Sequence, residues 1–261
     1  KRFLKKRIKL KKKLNGFHML KYKKILFTGS SGRFGSVFKK INKESNYLYP
    51  SKKQLNITNK KSVENYFNKK KINLVVHAAA LSRPMDLHEN NISKSISTNI
   101  IGTSNLVNEC YKKKIKIVYI STNYVYPGVK GNYKETSNLN PINNYAWSKL
   151  GGECAVMMYK NSLILRVCMT ERPFIHKSAF SNLKTNFIYH DQVAKFLPKL
   201  FKYKGILNVG GKIRTVYKFA RRSNPKIKAK KFIKKSKLLK INTSMNINKL
   251  RRILTNKRFV L

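Results

Sequence analysis

Tyr145 and Lys149 stand four residues apart in Tyr145-Ala-Trp-Ser-Lys149, which on a helix puts them one turn apart on one face. That spacing has a chemistry. A free tyrosine keeps its proton up to a pH near ~10, and an adjacent ammonium favours the phenolate. A tyrosine tuned in this way can pass a proton to a carbonyl oxygen while a hydride reaches the carbon. The lysine can also hold a ribose. Upstream, Ser121-Thr122-Asn123-Tyr124-Val125-Tyr126 follows an apolar run that reads as a strand, and the Thr122 hydroxyl could bind the same carbonyl and steady its developing charge. In a chain with 14 Tyr and 59 Lys plus Arg, a Tyr-Lys pair arises readily by chance. Capping would account for Thr122 alone and helix packing for Tyr145 alone, but neither accounts for all three residues in this order.

A second constellation lies near the start. Gly29-Ser30-Ser31-Gly32-Arg33-Phe34-Gly35 spaces glycines three apart between a predicted strand, Ile25 to Thr28, and a predicted helix reaching about Lys40. Glycine permits the sharp turn, close approach of backbone to a pyrophosphate and tight packing of helix on strand. The free N–H groups of the helix start then receive phosphates. Sites that prefer NAD end their second strand with an acid for the ribose 2′-hydroxyl. Asn46 to Thr58 contains no Asp or Glu but does contain Lys52 and Lys53. Arg33 could pair with a 2′-phosphate in bidentate fashion, so NADPH is expected over NADH. The general basicity of the chain is the competing explanation for these cations.

The elements that must position these residues alternate. Predicted strands at Asn46–Tyr49, Asn73–His77, Ile115–Ile120 and Ser162–Val167 are separated by predicted helices reaching Lys70, from Ile92 to Lys113 and from Asn143 to Tyr159. Such alternation describes an α/β fold with a doubly wound parallel sheet, and the continuous apolar strands fit a sheet covered on both faces. Strand ends on the carboxyl side of such a sheet form the ligand crevice. Beyond Val167 the pattern loosens: segments at Asn186–Tyr189, Asp191–Phe201, Gly205–Val209, Thr215–Arg221 and Asn246–Leu254 still alternate, and Lys226–Lys240 is a basic region without clear pattern. The expected organisation is a basic extension over 1–22, a dinucleotide-binding domain over 23–167, and a small substrate-binding region over 168–261 interleaved with the last sheet strands.

Composition bounds the remaining possibilities. The 261 residues carry 59 Lys plus Arg against 9 Asp plus Glu, a formal charge of +50. Such a field attracts polyanions, but the lysines are spread over the whole chain, and no zinc spacing, aromatic RNA-binding pattern or helix-turn-helix accompanies them. Compositional bias explains the charge better than a specific nucleic-acid function. Cys110, Cys154 and Cys168 form no CxxC pair, which suggests reduced thiols in a cytoplasm and no metal site. No apolar run approaches the ~18 residues of a membrane span. Within the first 14 residues, Phe3, Leu4, Ile8, Leu10 and Leu14 fall on one helical face among basic residues. That pattern would give weak contact with an anionic membrane surface; the alternative is a disordered tail, or an upstream extension before a start at Met19.

Taken together, these residues resemble the extended short-chain dehydrogenase/reductase family, and within it the dTDP-4-dehydrorhamnose reductase-like sugar-nucleotide-binding proteins. The resemblance is carried by the glycine turn, His77-Ala78-Ala79-Ala80, STNYVYPG at 121–128, NNYAWSKLGGE at 143–153, HDQVAKFL at 190–197, NVGG at 208–211 and NTSMNINKLRRIL at 242–254. It implies a Rossmann-type fold and reduction by NADPH of a keto group on a nucleotide-activated deoxysugar, for cell-surface polysaccharide synthesis. Thr122, Tyr145 and Lys149 would be the catalytic set. Gly29, Ser31, Gly32, Arg33, Phe34, Gly35, Ala78, Ala79, Ala80 and Asn99 would join Tyr145 and Lys149 around the cofactor, with Arg83, Thr122 and Asn123 toward the substrate. A homodimer through paired helices would fit the family.

The chain also departs from the family. The reductases usually carry Asp where Asn123 and Asn56 stand, and Arg166 to Asn186 is short for a substrate domain. The family's dehydratases have an Asp-Glu pair after the threonine; Asn123-Tyr124 argues for simple reduction. Two alternatives stand beside the reductase: an epimerase on the same scaffold, and a non-catalytic protein that binds sugar nucleotides or nucleic acid.

Overall fold

The computed structural model describes residues 22–231 and 241–255. The basic extension and its amphipathic face lie outside those residues, as does most of the Lys226–Lys240 region. The first strand, β1 (Ile25–Thr28), is buried along its whole length and leads through the glycine turn into α1 (Arg33–Ile41). Then come β2 (Tyr47–Leu48), α2 (Lys60–Lys69) and β3 (Leu74–His77). Two short helices, α3 (Leu87–Asn90) and α4 (Ile92–Ser95), precede a π-helical turn over Ile96–Ile101 and α5 (Gly102–Lys112). After β4 (Lys116–Thr122) come α6 (Asn144–Met157) and β5 (Ser162–Val167). The sequence reading expected one helix from Ile92 to Lys113; the chain stays helical across most of that range, but the wider π turn interrupts it. Such turns mark places where a helix re-aims a residue, and this one carries Asn99.

Six parallel strands form the central sheet in the order β10-β5-β4-β3-β1-β2, where β10 is Gly205–Val209. Its strands read as continuous apolar runs because both faces are covered. Alternate residues serve opposite faces: Ile25, Phe27, Leu74, Val76, Leu163 and Leu165 enter one core, and Leu26, Val75, Ile117, Tyr119 and Ile164 the other. The first core is closed by α1, α7 (His190–Leu200) and α9 (Asn248–Thr255), with Phe27 stacked on Phe38 at 4.4 Å. The second is closed by α2, α5 and α6.

The chain after Val167 thus divides its work. Strand β10 and helices α7 and α9 complete the sheet layer, while β6 (Met169–Thr170) and β9 (Ile188–Tyr189) pair beside its carboxyl end. A small satellite core of Phe174, Ala179, Val216, Ala220 and Ile227 holds β7 (Ser178–Phe180), β8 (Lys184–Thr185), β11 (Arg214–Thr215), α8 (Val216–Ala220) and β12 (Lys228–Lys230). No helix among the described residues is long and apolar enough to cross a membrane.

Candidate functional site

From β1 the chain moves outward to β2; from β3 it moves the other way to β4, β5 and β10. The order therefore reverses between the adjacent strands β1 and β3, and ligands of open parallel sheets bind at the carboxyl ends of strands at such a switch. Both sequence constellations meet there. Gly29 adopts φ +77°, and a Cβ on it would collide with the Ala78–Ala79 backbone. A Cβ on Gly35 would strike the Gly29 carbonyl, so glycine lets α1 begin directly on the turn. Ser31, Gly32 and Arg33 are exposed, and Ala78, Ala79 and Ala80 are half-buried at the end of β3. Phe34 differs from its expected place: its ring packs in the core against Phe27, Phe38 and His190.

Thr122 ends β4, and Asn143 caps α6 by accepting from the Ala146 N–H at 2.8 Å, which starts the helix one residue before Tyr145. The half-buried Tyr145 ring sits between His88, centroids 5.1 Å apart, and Tyr124 at 6.1 Å and nearly perpendicular. Burial and the neighbouring Tyr124 push the Tyr145 phenol up to about 12, against a side-chain hydrogen bond with Thr122 and the charges of Arg33 and Arg83. Lys149 is 2% exposed, and its Nζ lies 4.0 Å from the centroid of the Tyr119 ring. Burial draws this ammonium down to about 7, with Glu153 opposing. The expectation that Lys149 would favour the Tyr145 phenolate is thus corrected. In a desolvated site both charged forms are disfavoured, so the tyrosine keeps its proton and the lysine titrates near neutrality.

Asn99 clamps this arrangement. Its Oδ1 accepts from the Leu81 N–H at 2.8 Å, and its Nδ2 donates to the Leu81 carbonyl at 2.9 Å and to Ser148 Oγ at 2.8 Å. It thereby joins the loop after Ala80 to the turn of α6 that lies between Tyr145 and Lys149. Thr103 donates to the Asn99 carbonyl at 2.7 Å, so His77 Nε2 donates to Thr103 at 3.0 Å while His77 Nδ1 accepts from Thr28 at 2.8 Å. His77 is fully buried, and desolvation together with Lys149 pulls its pKa down to about 3. It is a neutral strut between the ends of β1 and β3.

Several positioning residues carried no assigned role in the sequence. Glu89 accepts from the Asn144 N–H at 3.1 Å and from Asn144 Nδ2 at 2.6 Å, holding the start of α6 from outside. One turn beyond Lys149, Glu153 pairs with Arg166 of β5 at 2.8 Å, both almost fully buried. Ser121 donates to the same carboxylate, and Arg166 also donates to Tyr126 Oη and the Glu135 carbonyl. The available signal was an arginine inside the apolar run LILRV and one of the chain's few acids inside SKLGGE.

Other expected contacts have partners within the chain. Asn123 is buried and donates to the Thr243 carbonyl at 3.4 Å. Asn56 accepts from the Thr58 N–H and hydroxyl within its own loop. Arg33 pairs with Glu171 at 2.8 Å and donates to Ser82 at 3.2 Å, while Arg83 lies 3.9 Å from the same carboxylate. The arginine expected at a 2′-phosphate thus reaches toward the loops after β3 and β6. No cluster of metal-binding side chains occurs among the described residues.

Comparison with known proteins agrees with this architecture. A dTDP-4-dehydrorhamnose reductase of Aggregatibacter actinomycetemcomitans is 30% identical over 191 residues, 71% of this chain and 60% of the relative. Methionine adenosyltransferase 2 subunit beta of Bos taurus is 29% identical over 144 residues, 52% of this chain and 43% of the relative. The chain thus spans about half the length of these curated relatives. The crystal structure of a Bacillus anthracis dTDP-4-dehydrorhamnose reductase in complex with NADP superposes with a TM-score of 0.78 at 22% identity, covering 88% of this chain and 92% of that one. Residues 23–170 match the family described as the RmlD substrate binding domain, and with the sheet order and the switch-point site in place the chain belongs to that family.

Proposed function

We propose that this chain is an NADPH-dependent reductase acting on a keto group of a nucleotide-activated deoxysugar, of the kind that supplies surface polysaccharides. The observation that carries this reading is the convergence of Thr122, protonated Tyr145 and near-neutral Lys149 beside the glycine turn at the sheet's switch point. The site fits a dinucleotide: the turn admits backbone at close range, the alanines after β3 leave room, and no acid follows β2 to repel a 2′-phosphate. When bound, the nicotinamide supplies a hydride to the carbonyl carbon. Tyr145 Oη gives its proton to the carbonyl oxygen, so that hydride and proton together make the alcohol. Thr122 donates a hydrogen bond to the same oxygen as its charge develops. Lys149, held over the Tyr119 ring, would hold the ribose and return a proton toward Tyr145.

The test is oxidation of NADPH in the presence of a dTDP-4-keto-6-deoxysugar. Tyr145→Phe should lower kcat by about 10²–10⁴-fold with cofactor affinity little changed; unchanged turnover removes Tyr145 from the mechanism. An epimerase would return its hydride and show no net oxidation.

The free thiols suit a reducing compartment such as the cytoplasm. Trp147 and Cys154 on α6 and Met158 at its C-cap form an exposed stripe, and a second copy of the chain is the occupant that fits this helical face. A second reading, a binding subunit without catalysis, is supported by the Arg33–Glu171 pair across the cleft and by the likeness to methionine adenosyltransferase 2 subunit beta. It expects cofactor binding with no oxidation of any keto sugar.

A further inference from the structure

Glu171 is one of only 9 acids in a chain with 59 Lys plus Arg, and it stands in the mouth of the proposed nucleotide site. Three segments converge on it. Arg33, the first residue of α1, reaches it at 2.8 Å; Arg83, in the loop after β3, lies at 3.9 Å; and Thr170, ending β6, donates to its other oxygen at 3.3 Å. Arg33 also donates to Ser82. The arginine side chains are about two-fifths exposed, whereas Glu171 is 18% exposed. His190, 7% exposed and with no hydrogen-bond partner on Nδ1 among the described residues, lies within electrostatic reach of this cluster.

Two guanidinium groups and a hydroxyl directed at one carboxylate, beside the N-terminus of a helix, make the environment that binds phosphate. In the free protein the anion there comes from the chain itself. Burial pushes the Glu171 carboxyl up, but a hydrogen bond to its own backbone and the charges of Arg33 and Arg83 outweigh this and hold it ionised, below the usual carboxylate range. A phosphoanhydride entering along the glycine turn meets the same arginines. Both anions cannot occupy them together, because like charges at such range repel.

We propose that Arg33, Ser82 and Arg83 form the anion site for the phosphoanhydride of a bound nucleotide, and that Glu171 is a resident competitor which must withdraw before that ligand binds. The inference rests on the nucleotide-binding part of the proposed function. The phosphoanhydride could belong to the dinucleotide or to the nucleotide sugar; Arg33 adjoins the glycine turn in either case.

The experiment measures dissociation constants of inorganic pyrophosphate, NADPH and dTDP for the wild type, Glu171→Gln and Glu64→Gln. Glu64 sits on α2, 3.5 Å from Lys112, so its variant makes the same change in net charge far from the cleft. Glu171→Gln should bind pyrophosphate about fivefold more tightly, the order expected from releasing one partly buried ion pair, while Glu64→Gln stays at the wild-type value. Tightening of NADPH alone assigns the site to the cofactor, and tightening of dTDP alone assigns it to the sugar nucleotide. Equal pyrophosphate affinity in all three proteins, or equal tightening in both variants, overturns the proposal. If NADPH binds all three equally and pyrophosphate discriminates none, the competitor falls while the cofactor reading stands. If NADPH binds none but pyrophosphate prefers Glu171→Gln, the cofactor reading falls and the competitor stands.

Discussion

Replacing Lys149 with methionine should make the protein more stable at neutral pH while removing its activity. The ammonium is almost fully buried, and desolvation draws its pKa down to about 7 against the pull of Glu153; an unfolded lysine titrates near ~10.4. Below about 7 both states are protonated and the folded state carries the whole cost of the buried charge. Between about 7 and about 10 the unfolded chain binds more protons than the folded one, so stability from this residue rises with pH until both forms are neutral. At pH 7 the cost is about 4 kcal/mol by this reasoning. The Tyr119 ring, 4.0 Å from Nζ, returns about 1 kcal/mol of it while the ammonium is charged. Methionine keeps the volume without the charge, so Lys149→Met should gain roughly 2–3 kcal/mol, or about 5–10 °C in Tm for a chain of this size. Thermal melts followed by circular dichroism from about pH 6.5 to about pH 9.5 would show the variant's advantage shrinking as pH rises. A variant that melts below the wild type at neutral pH, or a gap that does not change with pH, would refute the reasoning.

Three further outcomes are expected. Arg166→Met strands the buried Glu153 carboxylate without its partner and should cost about 3–5 kcal/mol in urea denaturation, with part of the loss recovered by adding Glu153→Gln; a loss under about 1 kcal/mol would show that the pair contributes little. Glu89→Ala removes both acceptors that hold Asn144, so the start of α6 should loosen by about 1 kcal/mol; kcat should fall severalfold at unchanged NADPH affinity, and an unchanged kcat would free Tyr145 from this support. Trp147→Asp places a charge on the exposed α6 stripe and should turn a dimer into a monomer in sedimentation velocity, whereas a wild type that already sediments as a monomer would remove the second copy.

The sequence alone determined the layered fold and picked out Thr122, Tyr145 and Lys149 as the candidate set, for a local reason. Strand and helix periodicities, the glycine turn and the Tyr-x-x-x-Lys spacing are written in neighbouring residues: β5 spans Ser162–Val167 as expected, and α6 begins one residue after the expected Asn143. Only the tertiary structure decided the electrostatics. Whether Lys149 acts on Tyr145 as a charge depends on how much water reaches either group, and that is set by Tyr119, His88 and Tyr124 arriving from other segments. The partner of Arg33 is 138 residues away, and that of Asn123 is 120 residues away. In a chain this basic, every arginine could bind a phosphate when read from sequence. The few acids decide which of them meet a carboxylate first, and where those acids lie is a property of the folded chain.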